Sequence, residues 1–428
     1  MADGIMRKRF LMWLMAALSC CVSTTAKKSV DTFPDGTPIS EWFSDTTRVD
    51  VARLGKQYVI TDYGIKNDST VVQTDEIQKV IDRCASEGGG VVVIPRGTFL
   101  SGSLFFKKGT HLHLREGAVL KGIDDIRYYK IAKVHIEGQM LDYFAALVNA
   151  YDCDGFTISG SGTINGNGQR FWEEFWLRRK VNPKCTNLEA LRPRLVYIAN
   201  SNDVTVSGVR LINSGFWTNH LYRCNRVKYL GCYVFAPTKG KGPVKAPSSD
   251  GLDLDACSDV LVNGCYMNVN DDGVCLKGGK GTFVDKDSTS GPCCNIIVQN
   301  CDFGDANGGI TFGSESWDDR NVIIRNCTFN DTWHVLFFKM RPDTPQKYEY
   351  VLAENCTGNV RKMIEISPWR QFYNKLDRPD MPRSRVAHVL MRNINLECTV
   401  KAYDIKKTDD FDIEDVKYEN INVKETGK

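Results

Sequence analysis

Three aspartates near the middle of the 428-residue chain have the type and spacing that acid–base chemistry requires. Asp271 and Asp272 stand side by side between Asn270 and Gly273, and Asp250 precedes them by about one coil of a repeating strand pattern. If that repeat is a stacked coil, the three carboxylates gather at one place on the surface. Mutual repulsion then raises the pKa of one carboxyl group and leaves a proton donor beside ionised partners. Cleavage of a glycosidic bond by acid and base needs such a pair.

The segments that must position these aspartates form a repeat. Short apolar strands recur, each followed by Asn or Gly and then by a small apolar residue, at an irregular period of roughly 23 to 38 residues. The small apolar residues are Val209, Cys232, Cys265, Cys301, Cys327, Cys356, Ile394 and Ile421. In a parallel β-helix, equivalent positions of successive coils stack. We therefore predict one interior ladder in which Cys behaves as a small hydrophobe with a free thiol. Disulfides are the alternative that an exported protein would permit.

The pattern predicts an all-β fold: a single-domain, right-handed parallel β-helix, or solenoid, over residues 56–428. An open end of such a solenoid invites pairing with other chains. Ile77, Val80, Ile81 and Cys84 have helical spacing and predict a short N-terminal helix that caps this end. Residues 27–55 form an N-terminal extension in this interpretation.

Residues 1–26 have the organisation of a signal peptide. Basic Arg7, Lys8 and Arg9 precede an apolar run that is too short to span a bilayer. Thr-Thr-Ala at 24–26 suits ordinary signal cleavage, whereas Leu-Ser-Cys-Cys at 18–21 resembles a bacterial lipobox. We predict an exported protein that is periplasmic, secreted or lipid-anchored at the bacterial cell surface, with no integral membrane span.

The overall composition is that of an ordinary globular protein, with 42% hydrophobic and 25% charged residues. A formal net charge of only +3 does not indicate a nucleic-acid partner, although a mildly basic surface suits an acidic substrate. We expect a monomer.

The motifs around the aspartates resemble those of glycoside hydrolase family 28, the polygalacturonase family of pectin-degrading enzymes. The resemblance runs from about Tyr58 to the C-terminus. Ser248-Ser249-Asp250-Gly251 resembles the family's Asn-Thr-Asp-Gly, and Asn270-Asp271-Asp272-Gly273 resembles its Gly-Asp-Asp motif. The stretch 308–315 is similar to the segment that follows the family's Gly-His-Gly, and Leu336-Phe337-Phe338-Lys339 stands in the place of its Arg-Ile-Lys.

The resemblance implies an inverting hydrolase of pectic polysaccharide that needs no metal and no other cofactor. Asp271 would be the general acid, while Asp250 and Asp272 would hold and deprotonate the attacking water. Lys339 would bind a carboxylate or hydroxyl of the substrate through charge-assisted hydrogen bonds.

Two positions depart from the family pattern. Asn307 stands where the family usually has histidine, and it can hydrogen-bond but cannot titrate. Phe337 stands where the family usually has the arginine that grips a galacturonate carboxylate. Arg341 would replace that arginine if it shares a strand face with Lys339. These departures favour, as the alternative to a polygalacturonase, a rhamnogalacturonan-directed hydrolase that acts as a rhamnosidase or galacturonosidase.

Further candidates for the groove are His220 and Lys277, together with Trp217, Trp317 and Trp369, which could stack on sugar rings. Two other function classes stay open. One is a calcium-dependent polysaccharide lyase, because carboxylates are hard ligands for Ca²⁺, and the other is an inactive glycan-binding relic. Cleavage within chains or at their ends depends on the loops that close the groove.

Overall fold

Stacked parallel strands dominate the computed structural model, which describes residues 31–238 and 244–427. Twenty-nine of the described strands join into one sheet, and its ladders are parallel. The predicted all-β parallel β-helix is confirmed. The predicted signal peptide lies outside the described residues. In the described part of the chain, no helix combines the length and the apolar character needed to cross a membrane.

The strands stack in three columns, in which each strand pairs with its equivalent in the next coil. The first column contains Gln57–Val59, Gly90–Ile94, Thr110–Leu114, Thr157–Gly160, Asn202–Ser207, Asn225–Leu230, Ser258–Asn263, Cys293–Gln299, Asp318–Arg325, Lys347–Glu354, Ser384–Cys398 and Phe411–Glu425. The second contains Gly97–Ser101, Ala118–Gly122, Thr163–Asn165, Arg210–Ile212, Tyr233–Phe235, Tyr266–Asn268 and Asp302–Phe303. The third contains Leu104–Phe106, Val148–Tyr151, Val196–Ala199, Asn219–Tyr222, Leu252–Asp255, Val274–Lys277, Ile310–Phe312 and Tyr403–Ile405. The long strands Thr328–Met340 and Thr357–Pro368 take part in the second and third columns.

The interior ladder forms as predicted, at the turn after the first column. The residue before each ladder position has a positive φ, for example 64° at Gly264 and 55° at Asn300, which Gly and Asn adopt readily. The asparagines also bond to one another, since Asn355 donates to Asn326 over 3.1 Å. The ladder cysteines are buried, and their thiols are free.

In the described ranges, two α-helices and five 3₁₀ turns accompany the strands. The predicted N-terminal helix is α1, Thr74–Ser86, which buries its apolar face against the first coils. A second helix, α2, spans Gln169–Val181 and buries Phe171, Trp172 and Phe175. The 3₁₀ turns are Glu41–Ser44, Val51–Leu54, Ile60–Tyr63, Ile126–Tyr128 and Val284–Lys286.

The first described residues pack on the outer side of the first column. Phe33 and Phe43 cluster there with Leu230, Leu261 and Ile297. This contact covers apolar side chains of the sheet that would otherwise face water.

An antiparallel hairpin, Ile131–Ile136 and Gln139–Phe144, stands apart from the three columns. Its Val134 and Ile136 are fully buried in a cluster that includes Tyr197 and Trp217. His135 bonds to Asp255, at the end of a third-column strand, over 2.5 Å. The hairpin is therefore fixed to the β-helix at the strand that follows Asp250.

Candidate active site

The candidate site lies where three successive coils lead into the third column. The three strands concerned, which pair in register, are Leu252–Asp255, Val274–Lys277 and Ile310–Phe312. The residues just before them therefore stack as well. These residues are Asp250 in the first coil, Asp271 and Asp272 in the second, and Asn307 in the third. The parallel register therefore brings together residues that lie about one coil apart in the sequence, as predicted.

Glycines allow the three coils to approach closely at this point. A Cβ atom on Gly251 would lie 2.6 Å from the carbonyl oxygen of Gly273, and one on Gly273 would lie 2.7 Å from that of Gly308. Neither distance is compatible with a side chain. The glycine that ends each motif is thus needed for the stacking that assembles the carboxylates.

The three aspartates offer oxygen atoms that all lie within 4.8 Å of one another. Asp250 and Asp272 are buried, and Asp271 is partly buried. Charges this close in a site of reduced polarity cannot all ionise freely.

Asp272 is the carboxylate held in its charged form. Lys339 donates to its Oδ2 over 2.7 Å, and Thr311 donates to its Oδ1 over 2.8 Å. Burial alone would raise the pKa of Asp272, but Lys339 and Lys277 outweigh burial and lower it below the ordinary value. Asp272 is therefore an ionised group at neutral pH.

Asp271 is shifted in the opposite direction. Burial, and then the charge of Asp272, raise the pKa of Asp271 to about 6. Asn307 donates through Nδ2 to Asp271 Oδ1 over 2.9 Å, which favours the ionised form and limits the rise. The residue that replaces the family's histidine thus keeps a hydrogen bond to the acid.

Asp250 belongs to a second group of charges that sequence reasoning largely missed. Burial, followed by Asp253 and Asp271, raises the pKa of Asp250, and the Asp253 carboxyl beside it is also buried. The ammonium of Lys277 lies 3.9 Å from Asp250 Oδ2, 3.8 Å from Asp253 Oδ1 and 3.0 Å from Glu315 Oε2. Lys277 is one of the residues predicted to lie in the groove. Glu315 lies at the end of the stretch 308–315 that resembles the family, and Asp253 carries no sequence signal beyond its place two residues after Gly251.

Asp250, Asp271, Asp272, Lys277 and Glu315 line a cavity of about 600 Å³. Helix α2 and the following loops supply one wall, including Trp176 and Arg179. Arg179, Lys245 and Arg361 line the cavity and form no ion pair with a carboxylate among the described residues. Arg179 donates to Cys185 O and to Asn187 Oδ1, each over 3.2 Å. Because no carboxylate of the described residues neutralises the three charges, they suit an acidic ligand.

Phe337 and Trp369 give another part of the wall an aromatic character. The ammonium of Lys339 lies 5.2 Å from the centre of the Phe337 ring and 4.9 Å from that of Trp369. Phe337 also stacks on His334, with 4.4 Å between ring centres. Trp217 lines the cavity as well, whereas Trp317 does not.

Two residues predicted to bind substrate, Arg341 and His220, lie outside the lining of this cavity. The strand that carries Lys339 ends at Met340, so face alternation does not extend to Arg341. Its guanidinium instead bonds to both oxygens of Asp343, over 2.9 and 2.8 Å.

His220 is fully buried between two partners. Its Nδ1 lies 2.6 Å from Arg194 Nη1, and its Nε2 lies 3.0 Å from Asp255 Oδ2. Burial lowers the pKa of His220 to about 3, so the ring is neutral. His220 therefore helps to support the third column beneath the site.

Comparison with known families decides the relationship that the motifs indicated. Residues 84–428 match the model of glycosyl hydrolases family 28. The chain belongs to this family. An endo-polygalacturonase of Pectobacterium parmentieri is 26% identical over 355 residues, which cover 80% of this chain and 81% of that protein. A probable polygalacturonase of Vitis vinifera is 27% identical over 229 residues, 51% of this chain and 44% of that protein, so the chain spans less than half of this longer relative.

Solved structures share the fold of this family member. An exopolygalacturonase from Thermotoga maritima matches with a TM-score of 0.71 and 21% identity, over 88% of both chains. The polygalacturonase of Erwinia carotovora ssp. carotovora matches with a TM-score of 0.61 and 23% identity, over 83% of this chain and 95% of that one.

Proposed function

We propose that this family 28 chain hydrolyses glycosidic bonds in pectic polysaccharide, with Asp271 as the general acid. The observation that carries the proposal is the opposite shift of two neighbouring carboxyl groups. The pKa of Asp271 is raised to about 6, while that of Asp272 is lowered. One group then holds a proton at mildly acidic pH beside another that is ionised, which is the division of roles that glycoside hydrolysis needs.

The proposed reaction uses these groups in one step. Asp271 gives its proton to the oxygen of the glycosidic bond as the bond to the anomeric carbon breaks. Asp272 and Asp250 hold a water molecule, and Asp272 takes its proton as the water oxygen bonds to that carbon. Lys339, 2.7 Å from Asp272, orients this carboxylate and lies within reach of a substrate oxygen.

Inversion at the anomeric carbon is part of the proposal because the family resemblance implies it. The nearest carboxylate oxygens lie within 4.8 Å, which is shorter than the roughly 6.5–9.5 Å between carboxyl groups in most inverting glycosidases. The spacing therefore does not support inversion by itself. Proton NMR of the anomer that forms first tests this point, because a product with retained configuration would contradict inversion.

An acidic polymer is the substrate class that the charges favour. Arg179, Lys245 and Arg361 line the cavity without carboxylate partners among the described residues, so galacturonate carboxylates can pair with them. The buried pairs of Lys339 and Lys277 with carboxylates argue against a calcium-dependent lyase. Two ammonium groups already neutralise the oxygen atoms that would have to bind the cation.

A rhamnogalacturonan-directed hydrolase is the second candidate, and Phe337 is the observation that favours it. Phe337 and Trp369 face the cavity beside Lys339, and Arg341 is bound to Asp343. A sugar ring without a carboxylate fits this aromatic wall better than galacturonate does.

A mass-spectrometric product assay in ¹⁸O-water tests the proposal. The protein and an Asp271→Asn control are incubated with homogalacturonan and rhamnogalacturonan oligosaccharides. Saturated, ¹⁸O-labelled products from the unaltered protein alone are expected, and the released sugar distinguishes the two candidates. Unsaturated, unlabelled products would establish a lyase, and glycan binding without any product would establish a binding relic.

An exported location accompanies this proposal, because a polymeric substrate of plant cell walls is met outside the cell. Fractionation of the producing cells tests it, and a cytoplasmic pool of full-length chain alone would contradict it.

A further inference from the structure

One end of the cavity is closed by the tip of the antiparallel hairpin. The tip consists of Glu137, with a φ of 52°, and Gly138, with a φ of 75°. Glu137 lines the cavity and is buried, although the hairpin belongs to none of the three columns.

The hairpin tip is in close contact with the segments that carry Lys280 and Glu315. A Cβ atom on Gly138 would lie 2.9 Å from Lys280 Cγ and 3.1 Å from both Lys280 N and Glu315 Cβ. There is no room here even for a methyl group. A polysaccharide chain therefore cannot continue between the tip and the segments that carry Lys280 and Glu315.

Polar contacts hold the tip in this position. Asn187 donates to Glu137 Oε1 over 3.0 Å, and Lys280 lies 4.0 Å from Glu137 Oε2. At the base of the tip, His135 bonds to Asp255 over 2.5 Å, and its ring stacks on Tyr222 with 4.6 Å between ring centres. The closure thus rests on contacts with the loop after α2, with the third column and with the segment around Lys280.

The closed end lies next to the carboxylates that carry the proposed chemistry. Lys277 reaches Glu315 over 3.0 Å on one side and Asp250 over 3.9 Å on the other. The Lys277 ammonium therefore contacts both Glu315, which lies against the hairpin tip, and Asp250 of the aspartate cluster.

We infer that the protein acts at chain ends, and that the wall formed by Glu137, Asn187 and Glu315 binds the terminal sugar. This inference rests on the proposed hydrolysis of pectic saccharides. Glu137 and Glu315 accept hydrogen bonds from ring hydroxyls, and the two lysines beside the wall, Lys277 and Lys280, offset the charge of these carboxylates. Each turnover releases one sugar from the chain end that occupies the pocket.

The test uses pectic oligosaccharides of defined length with a fluorophore at the reducing end, sampled early in the reaction. Labelled products one unit shorter than the substrate, or label released on a single sugar, are expected and also tell which end is attacked. Labelled fragments of many lengths from the first samples would overturn this inference and leave the proposed hydrolysis intact. No cleavage of any pectic saccharide would overturn the proposed hydrolysis, and the inference with it.

A variant pair tests the wall itself. Glu137→Gly suits the positive φ and removes the carboxylate, and we expect KM to rise roughly tenfold or more through the loss of charged hydrogen bonds. Asp142→Asn changes an exposed residue of the same hairpin and should leave KM unchanged. An unchanged KM in Glu137→Gly, with both variants folded by circular dichroism, would show that the wall does not bind the substrate.

Discussion

Two stacks of residues in this β-helix have the same geometry but differ in the side chains that they bring together. In the interior ladder after the first column, successive coils place like on like: cysteine on cysteine and asparagine on asparagine. In the stack before the third column, successive coils place Asp250, Asp272 and Asn307 together, with charges that are buried and shifted in pKa. Repetition makes the first stack stable. The second stack brings buried carboxyl groups together at a cost in stability, and it is the one that can perform chemistry.

The largest effect is expected at the functional stack, from Asp271→Asn. Loss of the proton donor should lower kcat roughly 10²- to 10⁴-fold. The measurement is the rate of product release by the variant and by the native protein at the same pH. Stability should not fall at neutral pH. The folded pKa of Asp271 lies above its ordinary value, so its carboxyl group favours folding only at low pH, and this contribution is lost as the pH rises through about 6.

Thermal unfolding and the Asp142→Asn variant serve as controls for that experiment. Residual activity of Asp271→Asn near the native level would remove Asp271 from the role of general acid.

Glycines in the two stacks should respond differently to substitution. Gly273→Ala would push a Cβ against the Gly308 carbonyl oxygen and the Phe303 ring, at 2.7 and 2.9 Å. We expect a loss of about 1–3 kcal/mol in the free energy of unfolding and a large loss of activity, because the coils that carry the aspartates must separate.

The matched variant in the interior ladder is Gly264→Asn. Nothing lies within 4 Å of a Cβ at Gly264, and the next coil already has asparagine at the equivalent position. Chemical denaturation should show a small change and activity should be kept. Equal losses of stability and activity in Gly273→Ala and Gly264→Asn would contradict the expected difference between the two stacks.

A smaller effect is expected from Cys301→Ala in the ladder. Cys301 is buried among apolar neighbours and its thiol is free, so the substitution leaves a small void worth about 1 kcal/mol. Activity should be unchanged. A loss of activity would mean that the ladder does more than stabilise the fold.

Sequence periodicity predicted both stacks, for the same physical reason. Coil spacing places Asp250 near Asp271. The Asp-Gly and Asp-Asp-Gly motifs that precede the third-column strands identify the stack that carries the aspartates. Periodicity carries no information on insertions between coils, so the hairpin with Glu137 at its tip was not foreseen.

The sequence also did not allow us to predict which side chains pair over long range. The Arg341 prediction assumed that the strand continues past Lys339, whereas it ends at Met340. His220 binds Asp255 and Arg194, and no local pattern indicates that pairing.

The most direct test of the central claim is the pH dependence of kcat/KM for the native protein and Asn307→Ala. The claim is that stacking creates a protonated Asp271 beside an ionised Asp272. For the native protein, kcat/KM should therefore fall as the pH rises through about 6, where Asp271 loses its proton. The Asn307 hydrogen bond lowers the pKa of Asp271, so its removal should move this fall to higher pH by a fraction of a unit. A profile that is flat across this range, or one that does not move in Asn307→Ala, would contradict the account.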